Sequence, residues 1–378
     1  MIEIFAIILQ IFFITILCYF PKKIINISGH INFVSPISII YLSFLLLFLS
    51  FVSINLYYVN FILGVIFFIN LFFIYKEKNY KYFINYKFII FLTVIFALSL
   101  NLAVDLKLGW DAQNYWLMKS LNFTNGGNIL DLQNFPRPDY PHFGSYLWAV
   151  FRSISILDHE YFGRVFYLYI FLASIYSIIN FIEISELNKT ILFLLVVTIL
   201  NNDYFLIGYQ EILVFTYAII AGCIFLNSNE KIFKLRNITN LSICFFIIFW
   251  IKNEASIFSF LFLLSIIFLN FSKKKEVLIF FSFFVFIFLI KMFLAKIFGF
   301  DTNLQAGNYE NFQLKNLDYY FSLDRILLIL KYLIISFIKV PILIILIVGV
   351  FVNYFIKPNK INKIMFLNFF LGLLFVVS

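Results

Sequence analysis

The stretch GWDAQNYWLMK, residues 109–119, sets an acid, an aromatic ring and a base at positions 111, 115 and 119. Read as an α-helix, Asp111, Tyr115 and Lys119 stand at i, i+4 and i+8 and share one face. A carboxylate and an ammonium two turns apart, with a ring between them, can grip a polar molecule. The carboxylate would orient or deprotonate a hydroxyl. The plainer reading of Asp111 is a cap on the helix N-terminus. Trp110 and Trp116 suit the aromatic belt of a membrane–water boundary.

A second element, RPDYPHF, covers residues 137–143. Pro138 and Pro141 bracket Asp139 and Tyr140 and fix an extended turn, because proline locks φ and restrains the residue before it. Arg137 offers a two-pronged fork for a phosphate, and His142 can titrate or donate a hydrogen bond. The plainer reading is a rigid connector leading into the apolar stretch 146–151. Two shorter elements follow: GYQE at 208–211, with Glu211, and KNE at 252–254. The apolar runs flanking KNE hold only about 14 and 17 residues, and the shorter reaches about 21 Å against a hydrocarbon core of roughly 30 Å. Lys252 and Glu254 are therefore expected below the interface, where ionisable groups are costly and commonly functional. Alternatively they pair with each other and close a hairpin.

Oily helices must position all of these groups. The 378 residues are 63% hydrophobic and 12% charged, about half the charge of a soluble domain. Apolar runs of about 18 residues or more recur, predicting an all-α polytopic membrane protein with about 11–12 transmembrane helices. A barrel would alternate apolar and polar residues instead. The expected spans are roughly 2–20, 34–54, 57–75, 88–104, 162–182, 190–206, 210–227, 238–251, 255–271, 277–298, 326–356 and 364–378. The run 326–356 is too long for one upright span and carries Lys331 and Lys339. It reads as an interfacial piece followed by a span from about Pro341. The last run stops at Ser378 without a polar flank, as in a piece of a longer protein.

Alternate loops carry about 16 of the 28 Lys and Arg, and the opposite loops about 13 of the 19 acids. That pattern puts the N-terminus and the polar island 105–164 outside and the basic loops in the cytoplasm. The net charge of +9 is dispersed over helix ends, which excludes a nucleic-acid partner. Cys18, Cys223 and Cys244 lie inside apolar runs without CxxC spacing and read as buried thiols. The 56 Phe make composition bias the plain reading of any aromatic cluster. The first apolar run lacks a basic start and a cleavage site, so it reads as a retained helix. Neither a carboxylate triad nor a His/Cys cluster marks a metal site, which leaves at most a weak divalent cation open. Three regions result: N-terminal helices 1–87, a core 88–271 that includes the outer loop 105–164, and C-terminal helices 272–378.

The order of these motifs resembles the C-type (GT-C) superfamily of integral membrane glycosyltransferases, which includes the protein O-mannosyltransferases. The resemblance rests on Trp110-Asp111-Ala112 with Trp116 and Lys119, on Arg137-Pro138-Asp139-Tyr140-Pro141, on Gly208-Tyr209-Gln210-Glu211 and on Lys252-Asn253-Glu254-Ala255. It covers roughly residues 88–271. The sequence departs from the family pattern at Glu211 (Asp expected), Ala255 (Gly) and Arg137 (His common). Three spans precede the island where one is usual. The resemblance implies a polyprenyl-phosphate-linked sugar donor, a glycan, lipid or protein acceptor, and a multi-pass location in a bacterial plasma membrane with the site on the outer face. It makes Asp111 the catalytic base or acceptor-orienting group. Tyr115, Lys119, Arg137, Asp139, Tyr140, His142, Glu211, Lys252 and Glu254 become substrate contacts. A lipid-linked glycan transporter or flippase, or a glycan polymerase, is the competing expectation.

Overall fold

The computed structural model describes residues 1–19, 35–200, 206–228, 233–270 and 273–300, with isolated residues between 322 and 355. Among the described residues every regular element is helical. The α-helices are α1 (Ile2–Leu17), α2 (Pro36–Phe51), α3 (Leu56–Lys76), α4 (Tyr86–Val104), α5 (Leu117–Thr124), α6 (Phe143–Ser153), α7 (Tyr161–Ile179), α8 (Glu186–Leu200), α9 (Glu211–Ser228), α10 (Leu235–Phe249), α11 (Ala255–Leu269) and α12 (Lys274–Ile297). Five of them, α3, α4, α7, α9 and α12, are long and apolar enough to cross a membrane, and α1, α2, α10 and α11 are shorter apolar helices. The protein thus has the character of a multi-pass α-helical membrane protein. Ten expected spans, from 2–20 to 277–298, correspond in order to α1–α4 and α7–α12. The expected runs 326–356 and 364–378 lie outside the described residues save for isolated positions.

Local chemistry sets several helix starts. Asn55 and Asn85 accept from the backbone N–H of Tyr57 at 2.9 Å and Lys87 at 3.0 Å, capping α3 and α4. Pro36 opens α2, where its missing N–H costs nothing.

Contacts divide the chain into two units, the first made of residues 1–255 and 284–300. Its hub is α7, which packs against α1, α2, α4, α6, α8 and α9. Gly163 lets α6 come close: a Cβ there would lie 2.2 Å from the Trp148 ring and 2.4 Å from its backbone oxygen. Inside the bundle, polar side chains tie helices together. Gln10 of α1 donates to the Phe151 carbonyl at 2.9 Å. Asn70 of α3 donates to Ile16 O at 2.9 Å and Tyr19 O at 3.0 Å. Tyr41 of α2 donates to Asn240 Oδ1 of α10 at 2.9 Å. Such bonds bind helices to one another where burying apolar surface offers no advantage over lipid.

The apolar stretch 146–151 that follows the 137–143 element lies within α6, and every residue from Phe143 to Phe151 is buried. This part of the polar island therefore belongs to the packed interior. The second unit holds residues 256–283 and those from 301 onward. In its described part, the Ser265 hydroxyl closes on Leu261 O at 2.9 Å within α11.

Candidate functional site

The helix that carries Asp111 is not a plain α-helix. Ala112–Trp116 form a π-helical turn that runs into α5. A π turn holds an extra residue, so the one-face register expected for positions 111, 115 and 119 does not hold. Asp111 and Tyr115 are half-buried, whereas Lys119 is fully buried. Asp111 has helical backbone angles and makes no capping bond, which rules out the cap reading. Among the described residues its carboxylate has neither an ion pair nor a hydrogen bond.

Tyr140 lies at the centre of the layer. Trp116 stacks on its ring at 5.3 Å, Tyr115 meets it edge-on at 5.6 Å, and the Arg137 guanidinium sits over it at 4.3 Å. Trp110 extends the layer, edge-on to Tyr115 at 5.5 Å and largely exposed. Burial raises the Tyr140 phenol pKa, Arg137 opposes the shift, and the carboxylates of Glu254, Asp139 and Asp111 add to it. The phenol thus remains an O–H donor at neutral pH. Asp111 and Glu254, far apart in sequence, both act electrostatically on this one phenol.

The turn beneath is held from inside. Arg137 has φ 56°, a left-handed conformation uncommon outside glycine. Its carbonyl accepts from Tyr140 N at 3.1 Å and from Lys119 Nζ at 2.8 Å, and Lys119 also donates to Tyr140 O at 2.7 Å. Burial lowers the Lys119 pKa to about 7. Its neutral amine still has two N–H groups for those two carbonyls. The Arg137 fork, expected on a phosphate, is engaged by Asp139 at 3.1 and 3.0 Å.

His142 departs further from expectation. It is fully buried, its Nε2 lies 2.8 Å from the Ser50 hydroxyl, and its ring stacks on Phe300 at 5.7 Å. Burial, helped by the Lys119 charge, lowers its pKa to about 3. It is a neutral residue of the core.

The remaining elements join the same end of the bundle. Gly109 N donates to Ile207 O at 2.9 Å, and a Cβ at Gly109 would overlap the Tyr209 ring at 2.3 Å. Arg164, paired with Glu160, donates to Leu206 O at 2.6 Å. Phe143 N donates to Trp250 O at 3.0 Å, and Asn253 Nδ2 to Asp139 O at 2.9 Å. Lys252 pairs with Glu211 at 2.6 Å rather than with Glu254. Burial lowers the Lys252 pKa, but the Glu211 hydrogen bond and carboxylate, with Glu254, outweigh it and leave a net rise. Glu254 is exposed.

Sequence reasoning missed three contributors. Gln210 is fully buried and donates to the Tyr167 hydroxyl at 3.3 Å. Asn253 is the clasp just described. Lys291, inside α12, donates to Asn253 Oδ1 at 3.1 Å. In the sequence Lys291 is marked only as one of two lysines, with Lys296, in the otherwise apolar run 277–298. Among the described residues no group of three His, Cys, Asp or Glu side chains converges as a metal would require. No family model, no curated protein and no solved structure matches the chain, so what this layer does is to be read from its own residues.

Proposed function

We propose that the chain is an integral membrane glycosyltransferase that moves a sugar from a polyprenyl-phosphate donor to an acceptor hydroxyl at the outer face of a bacterial plasma membrane. One observation carries the reading: Asp111 is a half-buried carboxylate with no partner among the described residues, set in a layer of rings and charges at one end of an apolar bundle. Asp111 takes the acceptor proton, the acceptor oxygen forms the new bond to the anomeric carbon, and the bond from that carbon to the phosphate oxygen breaks. The electron pair leaves on the lipid phosphate. Trp110, Tyr115 and the Tyr140 hydroxyl supply ring faces and a donor for sugar groups. In this reading the exposed Glu254 accepts from a sugar hydroxyl.

A transport path would need ionisable groups at depth in several spans. The charges described here gather at one end of the bundle, which favours transfer.

The direct test is sugar transfer from a labelled polyprenyl-phosphate donor by membranes holding the wild type or Asp111→Asn. A loss of about 10²–10⁴-fold is expected, and undiminished transfer removes Asp111 from the mechanism. For the outer face, Asn134→Cys places a thiol at an exposed island position in a chain whose own cysteines are buried. An impermeant thiol reagent should label it in intact cells, and labelling only after permeabilisation reverses the orientation.

A further inference from the structure

The cations expected among the substrate contacts are already engaged. Arg137 is paired with Asp139, Lys252 with Glu211, and Lys119 is enclosed under two carbonyls. Lys291 differs from all three. It is 8% exposed, and among the described residues its ammonium has one hydrogen-bond partner, the neutral amide of Asn253, and no carboxylate. It sits six residues before the end of α12, about 9 Å along the axis. Phe284 and Phe288 on the same side of the helix pack on Phe249 of α10 at 5.6 and 5.8 Å. Leu289 and Phe293, two residues either side, are exposed. A buried ammonium with no counter-ion is costly, and it is cheapest when an anion completes it.

We infer that Lys291 binds a phosphate oxygen of a lipid-borne isoprenyl phosphate that enters from the membrane side beside α12. This rests on the transferase reading and deepens it by assigning the donor's phosphate contact. The ammonium brings two N–H groups beyond the one given to Asn253, enough for charge-assisted bonds to a phosphate. Through Asn253, which also donates to Asp139 O, the phosphate contact is linked to the turn that carries Tyr140. Positive charge at this point also stabilises the phosphate as it departs.

The test measures binding of farnesyl phosphate, farnesol and inorganic phosphate to the purified full chain in nanodiscs. Farnesyl phosphate should bind the wild type at least about tenfold more tightly than farnesol. Lys291→Met should erase that difference and Lys291→Arg should keep it. Should the methionine variant fail to fold, Lys291→Gln keeps a donor for Asn253 without the charge. Equal binding of the two farnesyl compounds by the wild type overturns the inference, as does an undiminished preference in the uncharged variant. Inorganic phosphate competing as well as farnesyl phosphate overturns the lipid-borne source. Transfer is assayed on the same samples. Transfer without phosphate preference retains the transferase and rejects Lys291, whereas a Lys291-dependent preference without transfer by the wild type does the reverse.

Discussion

Helices α7 and α3 are of similar length, 19 and 21 residues, and both are apolar enough to cross a membrane, yet 89% of the α7 span is buried against 22% of the α3 span. α3 turns Tyr57, Phe61, Phe68 and Phe72 outward. α7 carries Gly163, Ala173, Ser174 and Ser177 in its buried surface, and its Arg164 anchors the loop before α9 through Leu206 O. In a bilayer the surroundings are as oily as the core, so apolarity does not separate inside from outside. Small residues that admit a neighbouring backbone, and polar residues with a partner, do.

The strongest way to break that contrast is Gly163→Ala. The added methyl collides with Trp148 backbone as well as its ring, so a loss of about 1–3 kcal/mol or outright misfolding is expected, read by thermal denaturation in detergent. Wild-type stability would mean that α6 and α7 do not pack as described.

Titration sharpens the contrast next. His142, ordinarily near 6.5, is held at about 3. Between those values the unfolded chain takes up a proton that the folded chain refuses. The His142 contribution to stability is therefore full above pH 6.5 and falls as the pH drops, by at most about 1.4 kcal/mol per pH unit. Lys119, ordinarily at 10.5 and held at about 7, adds stability as the pH rises from 7 towards 10.5, because only the unfolded chain keeps its proton there. Denaturation midpoints of His142→Phe and Lys119→Met across pH 4–10 should be flatter than the wild type in the lower and upper windows respectively. Slopes unchanged in both variants would place the titrating groups elsewhere.

The smallest effect belongs to α3. A Cβ at Gly64 meets nothing within 4 Å, so Gly64→Ala should be neutral or add up to about 1 kcal/mol through helix propensity. A clear loss there would show that α3 has a packed neighbour on that face.

Much of this was legible in the chain. Apolar runs located the helices because a membrane span needs length and little else, and the polar stretches around Asp111, Arg137, Glu211 and Lys252 do meet at one end of the bundle. What escaped depended on partners distant in sequence. Nothing near Lys252 says that Glu211, 41 residues away, takes its charge. His142 looked like a turn residue and Lys119 like part of a helix face shared with Asp111, because the residues that enclose them come from elsewhere in the chain. Lys291 was hidden by the apolarity of its own helix.

The π turn at Ala112–Trp116 has a consequence for how this layer tolerates change. It amounts to one residue inserted into a helix, so the chain before it is out of phase with α5 by about 100°. Deleting a single exposed residue there, such as Gln113, would leave composition and hydropathy almost untouched. It would nevertheless swing Asp111 round the axis by about 100°. The position of the carboxylate is thus encoded by a residue count, and a one-codon slip could silence the layer while every residue singled out above remained in the sequence.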